Sequence, residues 1–591
     1  MLLKKVSYLI IFFIGITCSA SADFFYRVRF RGIKNTKLLN VLKENSDLLK
    51  FENKKIPSIN ALRYRINSDI PELIRILHAY SYYDARVDTD IIFENELDVI
   101  VNIHPGPRYL LKSFNVYGKP CYEKRKLEIM EEISLKEIGI ELNGPAISTD
   151  ILNSENYLLE KLASKSYPLA IIERRDVMVD VQEKSVSVDI CADTGPFSKF
   201  GAITILGLKD IDPKFIERKI AWEEGEPYDL TLISLTQKRL MKTNLFGSVL
   251  VSHTGALDES KELPMRIKLT ETKHRSINIG VSYATIDGPG VNAGWENRNV
   301  MHLGQLLSLE ADISKVASTG SLTYKIPDFY QLNRDYILQG MVVREDVVPY
   351  LGFTYRGGNR LEWNIGDHSK VSFGAKFEYI DVIKSISNGK FTLLGFPLYL
   401  QFSTASSILD PVSGYSIYYK ATPYQAISHN KDFFFKQKII GSFYIPLDAS
   451  KRIVTALRIQ LGSIVGTPLF NVPFTKRFLG GSDNDLRGYR FKTVSPTNAN
   501  GDPLGGRGVI YATLELRFRL TETIGLVPFT DWGNVTLKQY PTVTGKWFKS
   551  VGMGLRYFTF FGPLRLDVGV PLDKRKRDPN YRIYLSIGQT F

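Results

Sequence analysis

The sequence predicts a two-part fold, in which a series of small α+β domains precedes an all-β barrel that spans a membrane. Three observations lead to this prediction. A short strand that ends in glycine recurs at near-equal intervals in the first 275 residues. The last 317 residues alternate apolar and polar positions with almost no helical periodicity. The first 22 residues are typical of a secretory signal.

The first 22 residues contain the three parts of a signal peptide. Lys4 and Lys5 supply the charged start, residues 8–16 the apolar core, and Ala20 and Ala22 the small-residue cleavage site. The apolar run is much shorter than the roughly 20 residues that a membrane-spanning helix needs. We therefore expect residues 1–22 to be removed, and any membrane insertion to occur through strands.

The chain is basic, with a net charge of +14 and a pI near 9.2, but its charges are spread along the sequence. Dispersed charge on a secreted chain argues against a nucleic-acid partner and favours anionic lipid headgroups. The 31 tyrosines and 34 phenylalanines suit the aromatic girdles of a membrane barrel. Composition thus favours the lipid bilayer as a partner and predicts no binding of nucleic acid.

Two cysteines, Cys121 and Cys191, remain after removal of the signal. Both fall in the same predicted domain, and an oxidising compartment would allow them to pair; two buried thiols are the alternative. No histidine cluster accompanies them, so the sequence predicts no metal site. It also contains no nucleophile elbow, no His-Glu-x-x-His and no phosphate-binding loop, which predicts a protein that is not an enzyme and has no cofactor.

A small domain repeats three times before residue 275. Each copy opens with a short strand that ends at glycine, at Gly32, Gly118 and Gly207, with spacings of 86 and 89 residues. After each glycine the pattern predicts helices and then two strands. The predicted bounds are 23–106, 107–196 and 197–274.

The main helix of the first copy is predicted from a capping pattern. Asp69 and Glu72 flank Pro71, which is favoured in the first turn of a helix. Ile70, Leu73, Ile74 and Leu77 then form an apolar face. We therefore expect this helix to begin at Asp69.

Residues 275–591 are predicted to form a closed antiparallel barrel. Leu514 and Leu516 share one face of a strand, while Glu515 and Arg517 share the other. In a bilayer the first face would contact lipid and the second a polar lumen, whereas in a soluble β protein the charges would be solvated. A spanning strand needs about 9–11 residues, so about 20 residues per strand and turn give roughly 16 strands.

One stretch of this region, residues 480–491, is too rich in glycine, aspartate and asparagine to face lipid. It contains the tripeptide Arg487-Gly488-Tyr489. Forty-four residues after Arg487, Asp531 lies on an otherwise apolar strand. We expect the stretch to fold into the lumen and Arg487 to contact Asp531; a solvated loop arginine is the alternative.

The tripeptide, followed by Phe529-x-Asp531-x-Gly533 and by an aromatic-rich last strand, resembles the outer-membrane protein assembly superfamily. The resemblance implies that the first motif contacts the second, with Phe529 and Gly533 helping to seat the tripeptide. One departure is Leu486, where the superfamily usually has valine. Leucine is also apolar, so the assignment changes little.

The same resemblance implies a location and partners. The small domains would be POTRA domains in the periplasm, and the barrel would lie in the outer membrane of a Gram-negative bacterium. Three such domains and about 16 strands are closest to the TamA (translocation and assembly module) branch. That branch implies client outer-membrane or autotransporter proteins and a TamB-like partner, anchored in the inner membrane, that meets the first domain. A BamA-like general assembly factor is one alternative; a channel or porin, from a different class, is another, although porins lack periplasmic domains.

The first and last barrel strands must meet to close the barrel. We expect residues 276–283 to lie against residues 581–591 at a lateral seam, where Gly588 weakens pairing and makes the seam openable. An openable edge would offer backbone groups to a client strand. The predicted seam residues are Ile277, Ile279, Val281, Ile587, Gly588 and Phe591.

Overall fold

The structure is a computed structural model that describes residues 25–93, 97–284, 288–427, 431–560 and 562–591. The predicted signal peptide, residues 1–22, lies outside the described residues. Within them, no helix has the length and apolarity needed to cross a membrane. The chain forms three small α/β domains followed by a large antiparallel sheet, which confirms the predicted fold class.

The first domain packs three helices against a three-stranded sheet. Its sheet order is β1-β3-β2, with β3 parallel to β1 and antiparallel to β2. Leu62, Leu73 and Leu77 on the third helix pack with Val99 and Val101 on the central strand, and these buried side chains form the core. The elements are β1 (Tyr26–Arg31), α1 (Thr36–Asn45), α2 (Asp47–Lys50), α3 (Ile59–Ala79), β2 (Arg86–Phe93) and β3 (Leu97–His104).

Helix α3 begins ten residues before the predicted start. The hydroxyl of Ser58 caps it, and the helix continues through Pro71. Asp69 is buried within the helix, and its carboxylate accepts hydrogen bonds from Ser46 Oγ at 2.6 Å and from the Asp47 N–H at 2.8 Å. The predicted start was wrong because Asp69 binds the N-terminus of the neighbouring helix α2 instead of capping its own.

The second domain has the same sheet plan, in the order β4-β6-β5 with β4 parallel to β6. A disulfide joins Cys121 to Cys191, with an S–S distance of 2.04 Å, and so ties the segment after β4 to the central strand β6. The elements are β4 (Leu110–Gly118), α4 (Ser148–Ser164), β5 (Ile171–Asp180) and β6 (Ser185–Asp193), with 3-10 turns at Cys121–Glu123, Glu128–Glu131 and Leu135–Ile138.

The third domain repeats the plan in the order β7-β9-β8. Its elements are β7 (Lys199–Leu206), α5 (Pro213–Glu217), α6 (Leu230–Met241), β8 (Phe246–His253) and β9 (Glu262–Glu271). Pro213 opens α5, where a missing N–H is tolerated, and the Asp212 carboxylate accepts a hydrogen bond from the Lys214 N–H at 2.8 Å.

Glu271, the last residue of β9, holds the segment that follows β7. Its carboxylate accepts hydrogen bonds from the backbone N–H groups of Lys209, Asp210 and Ile211, at 2.8 to 3.3 Å, and lies 3.2 Å from His274 Nε2. Burial raises the pKa of this carboxyl, but the hydrogen bonds to its charged form outweigh burial and hold the pKa below its usual range.

The barrel sheet contains seventeen described strands in sequence order. β17 and β18 lie in line, because both pair with β16 on one side and with β19 on the other. They fill a single position, so the segments occupy sixteen wall positions, in agreement with the roughly 16 predicted. The strands are β10 (Arg275–Ala284), β11 (Gly288–Val300), β12 (Gln305–Ser314), β13 (Ala317–Ile326), β14 (Arg334–Val347), β15 (Tyr350–Ile365), β16 (Ser369–Lys384), β17 (Gly389–Gly395), β18 (Leu398–Ser403), β19 (Gly414–Ala426), β20 (Phe433–Pro446), β21 (Ile453–Val465), β22 (Gly508–Arg519), β23 (Ile524–Thr536), β24 (Phe548–Thr559), β25 (Gly562–Pro571) and β26 (Arg582–Ile587).

Side chains of the wall alternate between two environments. On β22, Leu514 is 37% exposed while its neighbour Glu515 is 0% exposed. On β20, Phe433 is exposed and Phe434 is buried. An apolar outer surface with charged and polar side chains inside is the arrangement of a barrel that spans a bilayer.

The segment between β21 and β22, residues 466–507, folds against the inner wall. Leu486 and Tyr489 from this segment are buried in one apolar cluster with the wall residues Phe434 and Tyr511. The segment therefore fills part of the lumen and brings residues 480–491 to the inner wall.

Candidate functional site

The tripeptide lies in a tight turn of the inward-folded segment. Asp485 Oδ1 accepts hydrogen bonds from the N–H groups of Gly481 at 2.9 Å, Ser482 at 2.7 Å and Leu486 at 2.6 Å. Gly481 has a φ of 104°, and a Cβ there would overlap the backbone, so only glycine fits. This turn directs Arg487 toward the wall.

Arg487 binds three carboxylates on the barrel wall. Its Nε and Nη2 donate to the two oxygens of Asp531 on β23 at 2.9 and 2.8 Å, and its backbone N–H donates to Asp531 Oδ2 at 3.1 Å. Its Nη1 donates to Glu515 Oε1 on β22 at 2.8 Å and to Asp567 Oδ2 on β25 at 2.9 Å. The guanidinium carbon lies 3.3 Å from the centre of the Phe529 ring. All four charged groups are buried, so these hydrogen bonds are little weakened by water.

Two further buried arginines balance the charge. Arg517 donates to Glu515 Oε2 at 2.9 and 3.0 Å, and Arg556 Nη1 donates to Asp567 Oδ1 at 2.5 Å. Three arginines therefore hydrogen-bond to three carboxylates, and Arg565, which binds Asp483, lies 3.8 Å from Asp567. Buried charges are stable only when they are paired in this way. We call this set the lumen network: Arg487, Arg517, Arg556, Glu515, Asp531 and Asp567.

Gly488 and Tyr489 fix the backbone that carries Arg487. Gly488 has a φ of 92°, a Cβ there would lie 2.9 Å from Pro571 N, and its N–H donates to Tyr584 Oη at 2.8 Å. The buried Tyr489 donates its hydroxyl proton to Lys549 O at 2.7 Å. Both residues of the tripeptide are thus held by the wall strands β24 to β26 and the turn that follows β25.

Gly533 makes room for the residue before the tripeptide. A Cβ at Gly533 would lie 2.4 Å from Leu486 Cδ1, so only a residue without a side chain fits opposite this leucine. Phe529, four residues earlier on the same strand, presents its ring to Arg487. The second motif therefore packs against the first along one strand.

Glu515 and Asp567 were not predicted as partners of Arg487. The alternation of β22 predicts that Glu515 faces the lumen, but which inward carboxylates approach one arginine depends on where the segment 466–507 docks. The sequence pattern that could identify them is an acidic residue at an inward position of a strand whose outward neighbours are apolar. This pattern identifies candidate carboxylates but does not determine which arginine each of them contacts.

The seam is formed by β10 and β26, the two ends of the barrel sheet. Among the described residues, β10 pairs only with β11 and β26 only with β25, so no ladder joins β10 to β26. Ile277, Ile279 and Val281 are 73%, 78% and 86% exposed. β26 has six residues, against ten in β10. The edge of β10 therefore lacks a strand partner in the described structure.

The last strand ends earlier than predicted. Gly588 has a φ of 88° and turns the chain away from the wall after Ile587. Phe591 lies beside Tyr444, with ring centres 6.2 Å apart. The prediction that Phe591 is a seam residue was wrong, because the left-handed backbone at Gly588 interrupts the alternation of the strand.

The residues after this turn, 588–591, which we call the tail, are bound to the lumen network. Thr590 Oγ1 donates to Glu515 Oε1 at 2.7 Å and accepts from Arg487 Nη1 at 3.3 Å. Arg517 Nη2 donates to Phe591 O at 2.9 Å. The charges that hold the tripeptide thus also hold the end of β26 beside the seam.

Two clusters in the described residues bring together atoms of the kind that bind metals. One contains Cys121 and Cys191, whose sulfurs are joined to each other and offer no thiolate. The other contains Glu271, whose oxygens already accept hydrogen bonds from three backbone N–H groups. Both clusters therefore have structural roles in this chain.

Comparisons with known proteins agree with this architecture. Residues 299–591 match the family model described as the Omp85 superfamily domain. The chain is 22% identical over 533 residues to the outer membrane protein assembly factor BamA of Nitratidesulfovibrio vulgaris (strain Hildenborough), covering 87% of this chain and 66% of that relative. It is 21% identical over 582 residues to BamA of Neisseria meningitidis serogroup B, covering 86% and 71%. The crystal structure of BamA from Haemophilus ducreyi lacking POTRA domains 1–3 superposes with a TM-score of 0.68 at 17% identity, over 81% of this chain and 99% of that one.

Proposed function

We propose that this outer-membrane protein, whose residues 299–591 match the Omp85 superfamily domain and whose small domains lie in the periplasm, inserts or secretes client proteins as an assembly factor. The observation that carries the proposal is the unpaired edge of β10 at the seam. Unpaired backbone N–H and C=O groups are a template for an incoming strand.

The mechanism that this geometry supports is strand templating. A client strand pairs with β10 where β26 is short, so its backbone groups are satisfied before it meets lipid. The short last strand also favours local thinning of the bilayer, which lowers the barrier to insertion. Burial of the client's apolar side chains and pairing of its strands supply the driving force, so the process needs no nucleotide.

The lumen network supports a resting state in which β26 is held in place at this seam. Thr590 is held by Glu515 and Arg487, so the tail and the tripeptide share one set of charges. Opening the seam at β26 would require these bonds to be exchanged. We propose that the network positions the last strand while clients are absent.

Within the superfamily, three POTRA-like domains favour a TamA-like role, with autotransporter-like clients and a TamB-like partner that meets the first domain, residues 23–106. The two relatives named above are BamA proteins and favour a general assembly role equally. Depletion in cells separates the two. Global loss of outer-membrane proteins would indicate the BamA-like role, and a mild, client-selective defect would indicate the TamA-like role.

The templating mechanism is tested by locking the seam. Cysteine pairs placed in residues 276–283 and 583–587 should cross-link, stop client insertion and release it again on mild reduction. A matched control is Ile279→Cys with Ala293→Cys, which are opposite one another in the paired strands β10 and β11. Locking that ordinary wall pair should leave insertion unchanged. Full insertion activity in a completely locked seam variant would refute the gate mechanism while leaving the fold intact.

A further inference from the structure

A second polar site lies inside the barrel, away from the lumen network. It is a cavity of about 360 Å³, within the size range of small-molecule sites. Of the described residues that line it, none is acidic. Its cationic lining residues are Arg356, Arg360, Lys376, Lys420, Lys436, Lys438 and Lys476.

The cavity faces the lumen and not the lipid. Six of its cations lie on the wall strands β15, β16, β19 and β20, and Lys436 and Lys438 occupy alternate positions of β20. The intervening residues Tyr355, Phe377 and Ile439 are among the exposed apolar side chains of the outer surface. Thr475, Lys476 and Phe478 of the inward-folded segment line one side. Ligands therefore reach the site through the barrel interior.

One carboxylate partly compensates this charge. Glu378 is fully buried and lies within 2.8 Å of Lys476 Nζ, 2.5 Å of Arg356 Nε and 3.5 Å of Lys376 Nζ. Three cations thus share a single negative charge. The local charge remains positive even at the best-paired corner of the cavity.

The remaining lysines have no acidic partner. Among the described residues, no carboxylate lies within 4.0 Å of Lys420, Lys436 or Lys438. Lys436 Nζ donates to a backbone carbonyl, that of Lys476, at 2.5 Å, and Lys420 Nζ lies 4.8 Å from the centre of the Tyr399 ring. The buried hydroxyl of Thr475, also in the lining, has no hydrogen-bond partner among the described residues.

We propose that this cavity binds a small, multiply charged phosphoryl compound. Concentrated unpaired positive charge in a partly desolvated cavity is costly unless an anion shares it. Lysine ammonium groups bind phosphate oxygens as point charges, and a hydroxyl such as that of Thr475 adds a donor. The phosphoryl group belongs either to a free phosphate compound or to a lipid headgroup. The site is independent of the proposed assembly function.

The test is calorimetric titration of the full-length protein in a nonionic detergent with sodium pyrophosphate at constant ionic strength. The wild type should show saturable binding of one equivalent. The K420Q/K438Q variant should bind about tenfold or more weakly, because both lost charges line the cavity. The K384Q/K390Q variant removes two exposed charges from the same barrel and should bind as the wild type does. Heat-modifiable gel mobility checks that each variant is folded. If the K420Q/K438Q variant does not fold, the single K438Q variant is titrated in its place.

Two results would overturn the proposal: no saturable binding by the wild type, or equal weakening in both double variants. The source of the phosphoryl group follows from a second titration in mixed micelles. Loss of pyrophosphate binding with phosphatidylglycerol, but not with phosphatidylcholine, assigns the site to a lipid headgroup. Unchanged binding in both assigns it to a free phosphate compound.

Discussion

At the scale of single residues, the partners of Arg487 are not equivalent. Asp531 receives three hydrogen bonds from it and has no other arginine within hydrogen-bonding distance among the described residues. Glu515 and Asp567 each keep a second arginine, Arg517 or Arg556. Loss of Arg487 therefore leaves the carboxylate of Asp531 without an arginine partner among the described residues. Loss of Asp531, in contrast, leaves Arg487 with two carboxylate partners.

Because the partners of Arg487 are not equivalent, we expect the variants at this site to destabilise the barrel by different amounts. Arg487→Ala should destabilise the barrel by about 3–5 kcal/mol, because it leaves a buried carboxylate unpaired. Arg487→Lys should be milder, since it keeps the charge and loses the planar fork. Asp531→Ala should also be milder than Arg487→Ala, and the double variant less impaired than the sum of both. Heat-modifiable gel mobility and client insertion measure all four. Strict additivity of the two alanine variants would contradict the contact.

Gly488 provides a test of backbone geometry at the same site. Gly488→Ala combines a φ of 92° with a Cβ that would lie 2.9 Å from Pro571 N, so it should displace the tripeptide and lower the unfolding temperature. Gly357→Ala on β15 is the control, because a Cβ there has no neighbour within 4 Å. Equal unfolding temperatures for the two variants would show that the close packing of Gly488 is unimportant.

At the scale of elements, the end of β26 and the lumen segment act on each other through a few side chains. The tail leaves the wall at Gly588 and is bound by Glu515, Arg487 and Arg517. The last strand is thus anchored from inside the barrel, because its edge lacks a described ladder to β10. Weakening the anchor should loosen the seam without unfolding the wall.

Thr590→Val tests this anchor. It preserves the shape of the side chain and removes the hydroxyl that donates to Glu515 at 2.7 Å, so amide hydrogens of β26 should exchange faster. Thr536→Val is a matched control, because its buried hydroxyl has no hydrogen-bond partner among the described residues. The measurement is hydrogen–deuterium exchange of residues 582–591. If β26 exchanges at the same rate in both variants, the tail does not anchor the strand.

The third domain contains a pH-dependent element at Glu271. Because the pKa of this carboxyl is held below its ordinary value of 4.5, its stabilisation is present at neutral pH and is lost as the pH falls below that value toward the folded pKa. Exchange protection of the Lys209, Asp210 and Ile211 amides, corrected for intrinsic rates, should decline over this range. Glu271→Gln should show low protection at every pH. Protection that is independent of pH in the wild type would exclude this role.

At the scale of the whole molecule, the barrel and the periplasmic domains divide the protein into two environments. The barrel wall carries apolar side chains outward, and the small domains keep conventional buried cores. The barrel therefore exposes apolar side chains on its outer surface, as a protein in a membrane does, whereas the small domains bury theirs, as proteins in water do.

This division predicts a protease pattern. Residues 23–274 should resist added protease in intact cells and be cleaved once the outer membrane is breached, since they lie on its inner side. Immunoblotting with antibodies against the first domain measures the cleavage, and a periplasmic marker protein controls for breach. Cleavage of residues 23–274 in intact cells, with the marker protein uncleaved, would contradict a periplasmic location of the small domains.

The sequence by itself determined the repeat of small domains, the barrel and the inward-folded stretch around Arg487, because periodicity and turn composition are local properties of the chain. The tertiary structure alone decided that Asp69 caps a neighbouring helix, that Glu515 and Asp567 join Asp531 around Arg487, and that the chain turns inward at Gly588. Alternation assigns a side chain to the lumen, but which inward charges meet depends on strand register and on how the lumen segment docks. Strand register and the docking of the lumen segment depend on contacts between residues that are far apart in the sequence. Buried charges must find partners in the same low-dielectric interior, and a single segment of sequence does not specify which partners these are.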